Sequence, residues 1–254
     1  MGFVPAFSIL PRVREDDVRD SDITPGDKPL ELKLFEHGFV RLDAAMADDL
    51  SVVNSARVSF AVRKEVADDK DRGLIRFMMR ERHGTPFEHN SFRFHIRAPI
   101  FVAREWFRHR VGSFNEESAR YHRLEGDFYV PSRRAVRSQV GKPGAYTFEP
   151  VEEELAGESI DTFRRIYKEL YQEYESLIEK GVAKELARAI LPFGIFTQFY
   201  WTLNARSLMN FLSLRHAGAA QYEIRMYARA VERLFAEKMP ITYECFVEFD
   251  RRAP

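Results

Sequence analysis

The chain has 254 residues, 45% of them hydrophobic, with 39 Lys+Arg, 39 Asp+Glu and a single cysteine. That length and apolar content suffice for a buried core in one large domain. Zero net charge excludes a global field for nucleic acid or an anionic membrane, and one thiol excludes an intrachain disulfide or a multi-cysteine metal site. No apolar run reaches membrane-spanning length, and no basic residue precedes the short apolar N-terminal stretch, so a soluble cytoplasmic protein is expected.

Residues 1–29 read as a charged, proline-containing arm (PRVREDDVRDSDITPGDKP at its end), flexible or loosely docked because it has little to bury. Globular patterning starts at Leu30 and continues to residue 254. ELKLF and FVRL, split by Glu36-His37-Gly38, predict a strand pair or one bent strand. DDLSVVNSARVSF predicts a short helix with Asp48 or Asp49 near its N-cap. DDKDRGLIRFMMRERHG predicts a longer helix with Leu74, Ile75, Met78 and Met79 as its stripe and Gly84 as its stop. SFRFHI alternates Phe92, Phe94 and Ile96 with polar residues, as a half-buried strand does, and Pro99 can open a helix through IFVAREWFRHR.

The second half reads as mainly helical. Val151 to Lys180 carries Phe163, Ile166, Leu170, Tyr174 and Leu177 at helical spacing. VAKELARAIL predicts a shorter helix ended by Pro192, FTQFYWTL a strand, and ARSLMNFLSLRH and AAQYEIRMYARAVERLFAEKM two helices broken around Gly218. The expected fold is therefore α+β, one domain over residues 30–254 behind the arm, with a mixed or antiparallel sheet and a mainly helical C-terminal half.

Three polar clusters could carry chemistry. The run RHRVGSFNEESARYH (Arg108 to His122) follows the apolar APIFVAREWF and belongs to a locally cationic segment, with Arg104, Arg108, Arg110, Arg120 and Arg123 against Glu105, Glu116 and Glu117. Arginine presents a rigid fork of donors that fits phosphate oxygens in pairs, and Ser113, Asn115 and Ser118 add neutral donors. On charge alone, a salt-bridged surface loop and an anion site stand equal. In NARSLMNFLSLRH, Arg206 and Asn210 share one helical face. Arg215 falls on the apolar side of that helix, where it either caps the last carbonyls or enters a pocket as a fixed cation. In RHGTPFEHN, His83 and His89 are six apart across a proline turn, a spacing unlike that of a metal site, so no metal is expected. Cys245, within TYECFVEF, reads as a buried, inert thiol. Dinucleotide-fold, P-loop and nucleophile-elbow motifs are absent, so a redox enzyme built on this chain would not use a Rossmann fold.

The fixed positions Arg108, His109, Arg110, Ser113, Asn115, Glu116, Ser118 and Arg120 match the signature RHRxxSxNExSxR, and the chain is thereby similar to the flavin-dependent thymidylate synthases. The likeness extends through HGTPFEH, FVAREWF, ELARAILP, NARSLMNFLSLR and AQYEIR, from about Leu32 to Phe246. The resemblance implies a homotetramer with shared active sites, a non-Rossmann FAD site, and reductive methylation of dUMP to dTMP. Methylene-tetrahydrofolate would donate the carbon and NADPH the reducing equivalents, with no nucleic acid and no membrane as partner.

Carried over by position, the implied dUMP contacts are Glu105, Trp106, Phe107, Arg108, Glu116, Glu117, Ser118, Ala119, Arg120, Arg188 and Arg215. The implied FAD contacts are Ser59, His83, Thr85, Glu88, Arg108, His109, Arg110, Glu116, Asn204, Ala205, Arg206 and Asn210. RHR would serve mainly the flavin and ESAR the nucleotide phosphate. Glu105 stands where some relatives carry glutamine, and Ala219 where some carry histidine. Because Cys245 is alone and far from the signature, the uracil ring would be activated electrostatically, with Arg215 as the charge-stabilising residue. Two other classes compete: a non-catalytic nucleotide- or RNA-binding module, against which the neutral charge weighs, and a metal-dependent hydrolase, against which the histidine spacing weighs.

Overall fold

The computed structural model describes residues 22–254 apart from Ala67 and Gly144, so most of the arm expected at the N-terminus lies outside the described residues. Eight strands are present among them: β1 (Ile23–Pro25), β2 (Glu31–Leu34), β3 (Gly38–Met46), β4 (Ser91–Pro99), β5 (Ser113–Glu116), β6 (Arg137–Val140), β7 (Thr147–Pro150) and β8 (Phe196–Asn204). The helices are α1 (Asp49–Arg57), α2 (Asp69–Arg80), α3 (Ile100–Trp106), α4 (Glu153–Glu179), α5 (Lys184–Ala187), α6 (Ala205–Arg215), α7 (Tyr222–Lys238) and α8 (Pro240–Glu248). Six strands form one antiparallel sheet in the order β1-β2-β3-β4-β8-β5, and β6 and β7 make a separate hairpin.

The sheet is assembled by the period-2 pattern of its two central strands. Phe92, Phe94 and Ile96 of β4 are fully buried, and the register sets them opposite Leu203, Trp201 and Phe199 of β8. One face of the sheet is thus continuous aromatic and branched surface, and directly opposed pairs of this kind stabilise antiparallel strands. Helix α7 covers this face with Ile224, Tyr227, Ala228, Val231, Leu234 and Phe235, a 3.6-residue stripe. The Tyr227 hydroxyl donates to the Arg97 carbonyl at 2.8 Å, so the one polar atom of that contact is satisfied. Trp106, at the end of α3, is fully enclosed, stacked on Phe211 of α6 at 4.9 Å between ring centroids and edge-on to Trp201. This aromatic junction fixes α3, α6 and β8 relative to one another, and truncating its indole would cost about 3–5 kcal/mol.

A smaller apolar cluster anchors the chain that follows β5. Leu124 and Phe128 pack with Tyr167 and Ile195, and Phe128 stacks on Tyr167 of α4 at 4.7 Å. The hydroxyls of Tyr174 and Tyr171 bond the Leu124 N–H and carbonyl, each at 3.1 Å. The face α4 buries runs through Ala156, Ile160, Tyr167 and Tyr174, and Phe163, at its margin, stays 40% exposed.

Several boundaries differ from the expectations. The sheet begins inside the segment read as an arm, because Ile23 is buried and Ile23–Pro25 pairs with β2. Helix α3 stops at Trp106 instead of running through Arg108-His109-Arg110, since the chain must leave the helix to place β5 on the edge of β8. Helix α2 ends at Arg80, and the turn is closed by Arg82 at φ 57°, ahead of Gly84. VAKELARAIL yields only the four-residue α5 and a 3-10 turn, Arg188–Ile190. Helix α8 follows a proline at its first position and is capped from a distance. The buried Asp49 carboxylate accepts from the Ile241 and Thr242 N–H groups at 2.9 and 2.8 Å. No helix among the described residues is long and apolar enough to cross a membrane.

Candidate active site

The site is built where two β-to-α connections lie side by side. From β4 the chain enters α3 and leaves it through the irregular turn Arg108 to Gly112 before β5; from β8 it enters α6 directly. Asn204 is the N-cap of α6, its side-chain oxygen accepting from the Ser207 N–H at 2.9 Å. With the helix started there, Arg206 and Asn210 project one turn apart to the same side, and Arg215 stands in its last turn. These residues line an open cleft of about 710 Å³ together with Glu88, Arg108, His109, Arg110, Val111, Trp201, Asn204, Ser207, Leu214, Ala253 and Pro254.

The charge in the cleft is one-sided. Arg108, Arg110, Arg206 and Arg215 face it with Glu88 as the one acidic side chain in its lining, in a chain whose net charge is zero. Arg206 is held on two sides: Nη1 pairs with Glu88 Oε1 at 2.5 Å, and Nε donates to the Pro254 backbone oxygen at 3.0 Å. Glycine at 84 leaves room for it in this position, because a Cβ there would come within 2.5 Å of the Arg206 guanidinium carbon and the side chain would have to shift. Gly84 belongs to the Arg82-to-His89 turn, so that turn sets the height of the guanidinium.

Arg215 is half-buried. Its Nε donates to His109 Nε2 at 2.9 Å, and its two terminal nitrogens reach Glu105 Oε2 at 3.4 Å and the Glu105 carbonyl at 3.5 Å. A guanidinium has five N–H groups, so this arrangement leaves two for a ligand. Accepting at Nε2 assigns the proton of the neutral His109 ring to Nδ1. Burial, and then the neighbouring Arg215 charge, push the His109 pKa down to about 4, so the ring is neutral at pH 7. A neutral imidazole can support the cation; a protonated one would repel it.

The other candidate positions fall outside this cleft lining. Glu116 is exposed on β5 and accepts from the Thr197 hydroxyl at 2.7 Å, while the Glu117 carboxylate accepts from the Gln198 N–H and amide. Ser118, Ala119 and Arg120 follow on the segment pinned by Leu124 and Phe128, with the Arg120 guanidinium over the Tyr121 ring at 5.3 Å. Arg188 is exposed and its Nε donates to the Glu185 carbonyl at 3.3 Å. Ser59 and Thr85 are exposed on the 3-10 turns Val58–Phe60 and Thr85–His89, and His83 is exposed on the loop before the second, edge-on to Phe77. Phe107 packs edge-on against Phe114 and Phe199. Trp106 and Ala205, read as ligand contacts, have fully buried side chains that belong to the core, so only their backbone could meet a ligand.

Among the described residues, no group of three His, Cys, Asp or Glu side chains could hold a metal ion. Cys245 is buried, and burial raises its thiol pKa to about 11. Sequence reasoning missed Val111, Trp201, Ser207, Leu214, Ala253 and Pro254 as cleft residues and the role of Gly84. Ser207 was findable, since it lies next to Arg206 on the first turn of α6. Residues 253 and 254 carry no local signal.

Comparison with known proteins places the chain. The family model described as thymidylate synthase complementing protein matches residues 41–241. A flavin-dependent thymidylate synthase of Thermosipho africanus is 46% identical over 220 residues, covering 87% of this chain and 95% of that protein. One from Thermus thermophilus is 42% identical, covering 87% of this chain and 79% of that protein. Among solved structures, a UMP/dUMP methylase, PolB, from Streptomyces cacaoi bound with 5-Br dUMP is 43% identical with a TM-score of 0.80, covering 87% of this chain and all of that one. The family model spans well over half of the chain, and the chain belongs to the family of flavin-dependent thymidylate synthases.

Proposed function

We propose that the protein converts dUMP to dTMP by reductive methylation, with FAD bound in the cleft, methylene-tetrahydrofolate as carbon donor and NADPH as reductant. The observation that carries this reading is the half-buried Arg215 cation, held by neutral His109, in a cleft lined by three further arginines. The donor set fits a dinucleotide flavin. Arg108, Arg110 and Arg206 offer forks for a pyrophosphate, and Asn210 and Ser207 are placed to bond sugar or ring edges. When bound, the flavin would supply the hydride.

The chain's own task is to position the uracil and stabilise charge on it. Negative charge developing on the ring would meet Arg215, a donor already oriented before reaction and therefore worth about 3–4 kcal/mol of barrier. No thiol takes part, because Cys245 is buried in the core with its pKa raised to about 11. Glu116 to Arg120 and Arg188 would hold the dUMP phosphate and sugar. Within one chain they lie off the cleft lining, which favours a homotetramer in which neighbouring copies complete each site.

The PolB relative is described as acting on UMP as well as dUMP. A ribonucleotide is accordingly a second substrate to test. Purified protein should be yellow, with a flavin absorption band that dUMP perturbs. Titrating UMP alongside compares the two nucleotides. A colourless protein that cannot be reconstituted with FAD would instead favour a non-catalytic nucleotide- or RNA-binding module.

A further inference from the structure

We propose that residues 251–254 form a wall of the cofactor cleft and that Arg251 is the positioning residue that keeps this wall in place. The inference rests on reading the cleft as a flavin site. The segment lies beyond residues 41–241, the span matched by the family model, yet its Ala253 and Pro254 belong to the cleft lining.

After α8 the chain reverses through Asp250 and Arg251, which have φ values of 55° and 54°. Two successive side-chain-bearing residues in the left-handed region persist only where surrounding contacts over-determine them. Here the contacts are visible. The Arg251 N–H bonds the Phe246 carbonyl at 2.9 Å, and its Nε donates to Glu232 Oε1 at 2.7 Å. Glu232 is buried on α7, and its other oxygen lies 3.1 Å from His216 Nε2, directly after Arg215. One carboxylate therefore ties both the reversed segment and the end of α6 to α7. Ser213 of α6 completes the latch: its hydroxyl shares one proton between the Arg251 carbonyl at 2.5 Å and the Met209 carbonyl at 2.8 Å, and accepts from the Ala253 N–H at 3.2 Å.

The consequence of the latch falls on Arg206. Pinned in this way, the segment lays Ala253 and Pro254 along the cleft, where Pro254 is buried and its backbone oxygen accepts from Arg206 Nε at 3.0 Å. With Nη1 taken by Glu88, the fork is fixed in plane and direction before any ligand arrives. Releasing residues 251–254 would free Arg206 to rotate and expose one side of the cleft to water. Preorganisation of that kind appears in ligand affinity.

The test is a titration of FAD into the flavin-free full chain, followed by flavin fluorescence, with each variant's unfolding midpoint measured without flavin. Arg251→Ala should raise the FAD Kd by at least about tenfold, as expected for losing a charged hydrogen bond. Arg251→Lys, which keeps a cation against Glu232, should stay within about threefold. Pro254→Gly, which leaves the Arg251–Glu232 ion pair in place and removes the ring that walls the cleft, should weaken FAD with little change in the unfolding midpoint, and it decides the matter if Arg251→Ala fails to fold. Unchanged affinity in both variants would overturn the proposal. So would tighter binding, which would mark the segment as a plug. Absence of FAD binding in the unsubstituted protein would overturn the flavin reading itself and is separable, because it needs no variant.

Discussion

Arg215 and His109 meet side chain to side chain, with Nε donating to a ring nitrogen at 2.9 Å across 106 residues of sequence. The ring also lies edge-on to Phe211, at 5.0 Å between centroids, so the contact is backed by the core. The Glu105 carboxylate pairs with one terminal nitrogen at 3.4 Å, and the neutral His109 orients Nε without adding a second opposing charge.

That pairing gives folding a pH dependence. The unfolded chain takes up the His109 proton near pH 6.5 and the folded chain near pH 4, so between those values the unfolded state binds more protons. Stability should therefore fall as pH drops from about 6.5 to about 4. Urea unfolding at pH 7.5, 5.5 and 4.5 checks this. His109→Gln should lose stability less steeply across that window, and parallel curves for the two proteins would remove His109 as a source.

Gly84 should be as important to flavin binding as the side chains that touch the cofactor. In Gly84→Ala the new methyl group must displace the Arg206 guanidinium, which is backed by both Glu88 and Pro254. We expect a rise of about tenfold in the FAD Kd, similar to that in Arg206→Ala, since both misplace one charged donor. Flavin fluorescence titration measures it, and wild-type affinity in Gly84→Ala would mean that Arg206 yields without consequence.

If Arg120 holds the dUMP phosphate, Arg120→Ala should weaken dUMP binding by about 1.5–3 kcal/mol, the range for a charged hydrogen bond. Perturbation of the flavin band by dUMP reads the affinity directly. A loss below about 1 kcal/mol would remove Arg120 from direct phosphate contact.

The parts legible in the sequence were those governed by short-range periodicity. Phe92, Phe94 and Ile96 announced β4, and the four-residue spacing of Arg206 and Asn210 put both on the cleft side of α6. Strand β5 was missed because its one inward aromatic, Phe114, makes no alternating pattern, and its pairing comes from β8 more than 80 residues away. The positions of Ala253 and Pro254 follow from tertiary bonds to Ser213 and Glu232, which no local pattern encodes. The resemblance named Trp106 as a ligand contact, whereas its indole lies between Phe211 and Trp201. A contact made through backbone looks the same in a sequence as one made through a side chain.

Cys245 should be chemically silent. With burial raising its pKa to about 11, little thiolate exists at neutral pH, and Ellman's reagent should react only after unfolding. Prompt labelling of the native protein would contradict the burial described here.

The most direct test of activation by charge, without a thiol, is dTMP formation by Arg215→Ala and Cys245→Ala side by side, supplied with dUMP, methylene-tetrahydrofolate, FAD and NADPH. Cys245→Ala should turn over at close to the rate of the unsubstituted protein. Arg215→Ala should still bind flavin but lose about 100- to 1000-fold in rate, the loss expected for one preorganised donor. Unchanged turnover in Arg215→Ala, or an inactive but folded Cys245→Ala, would contradict it.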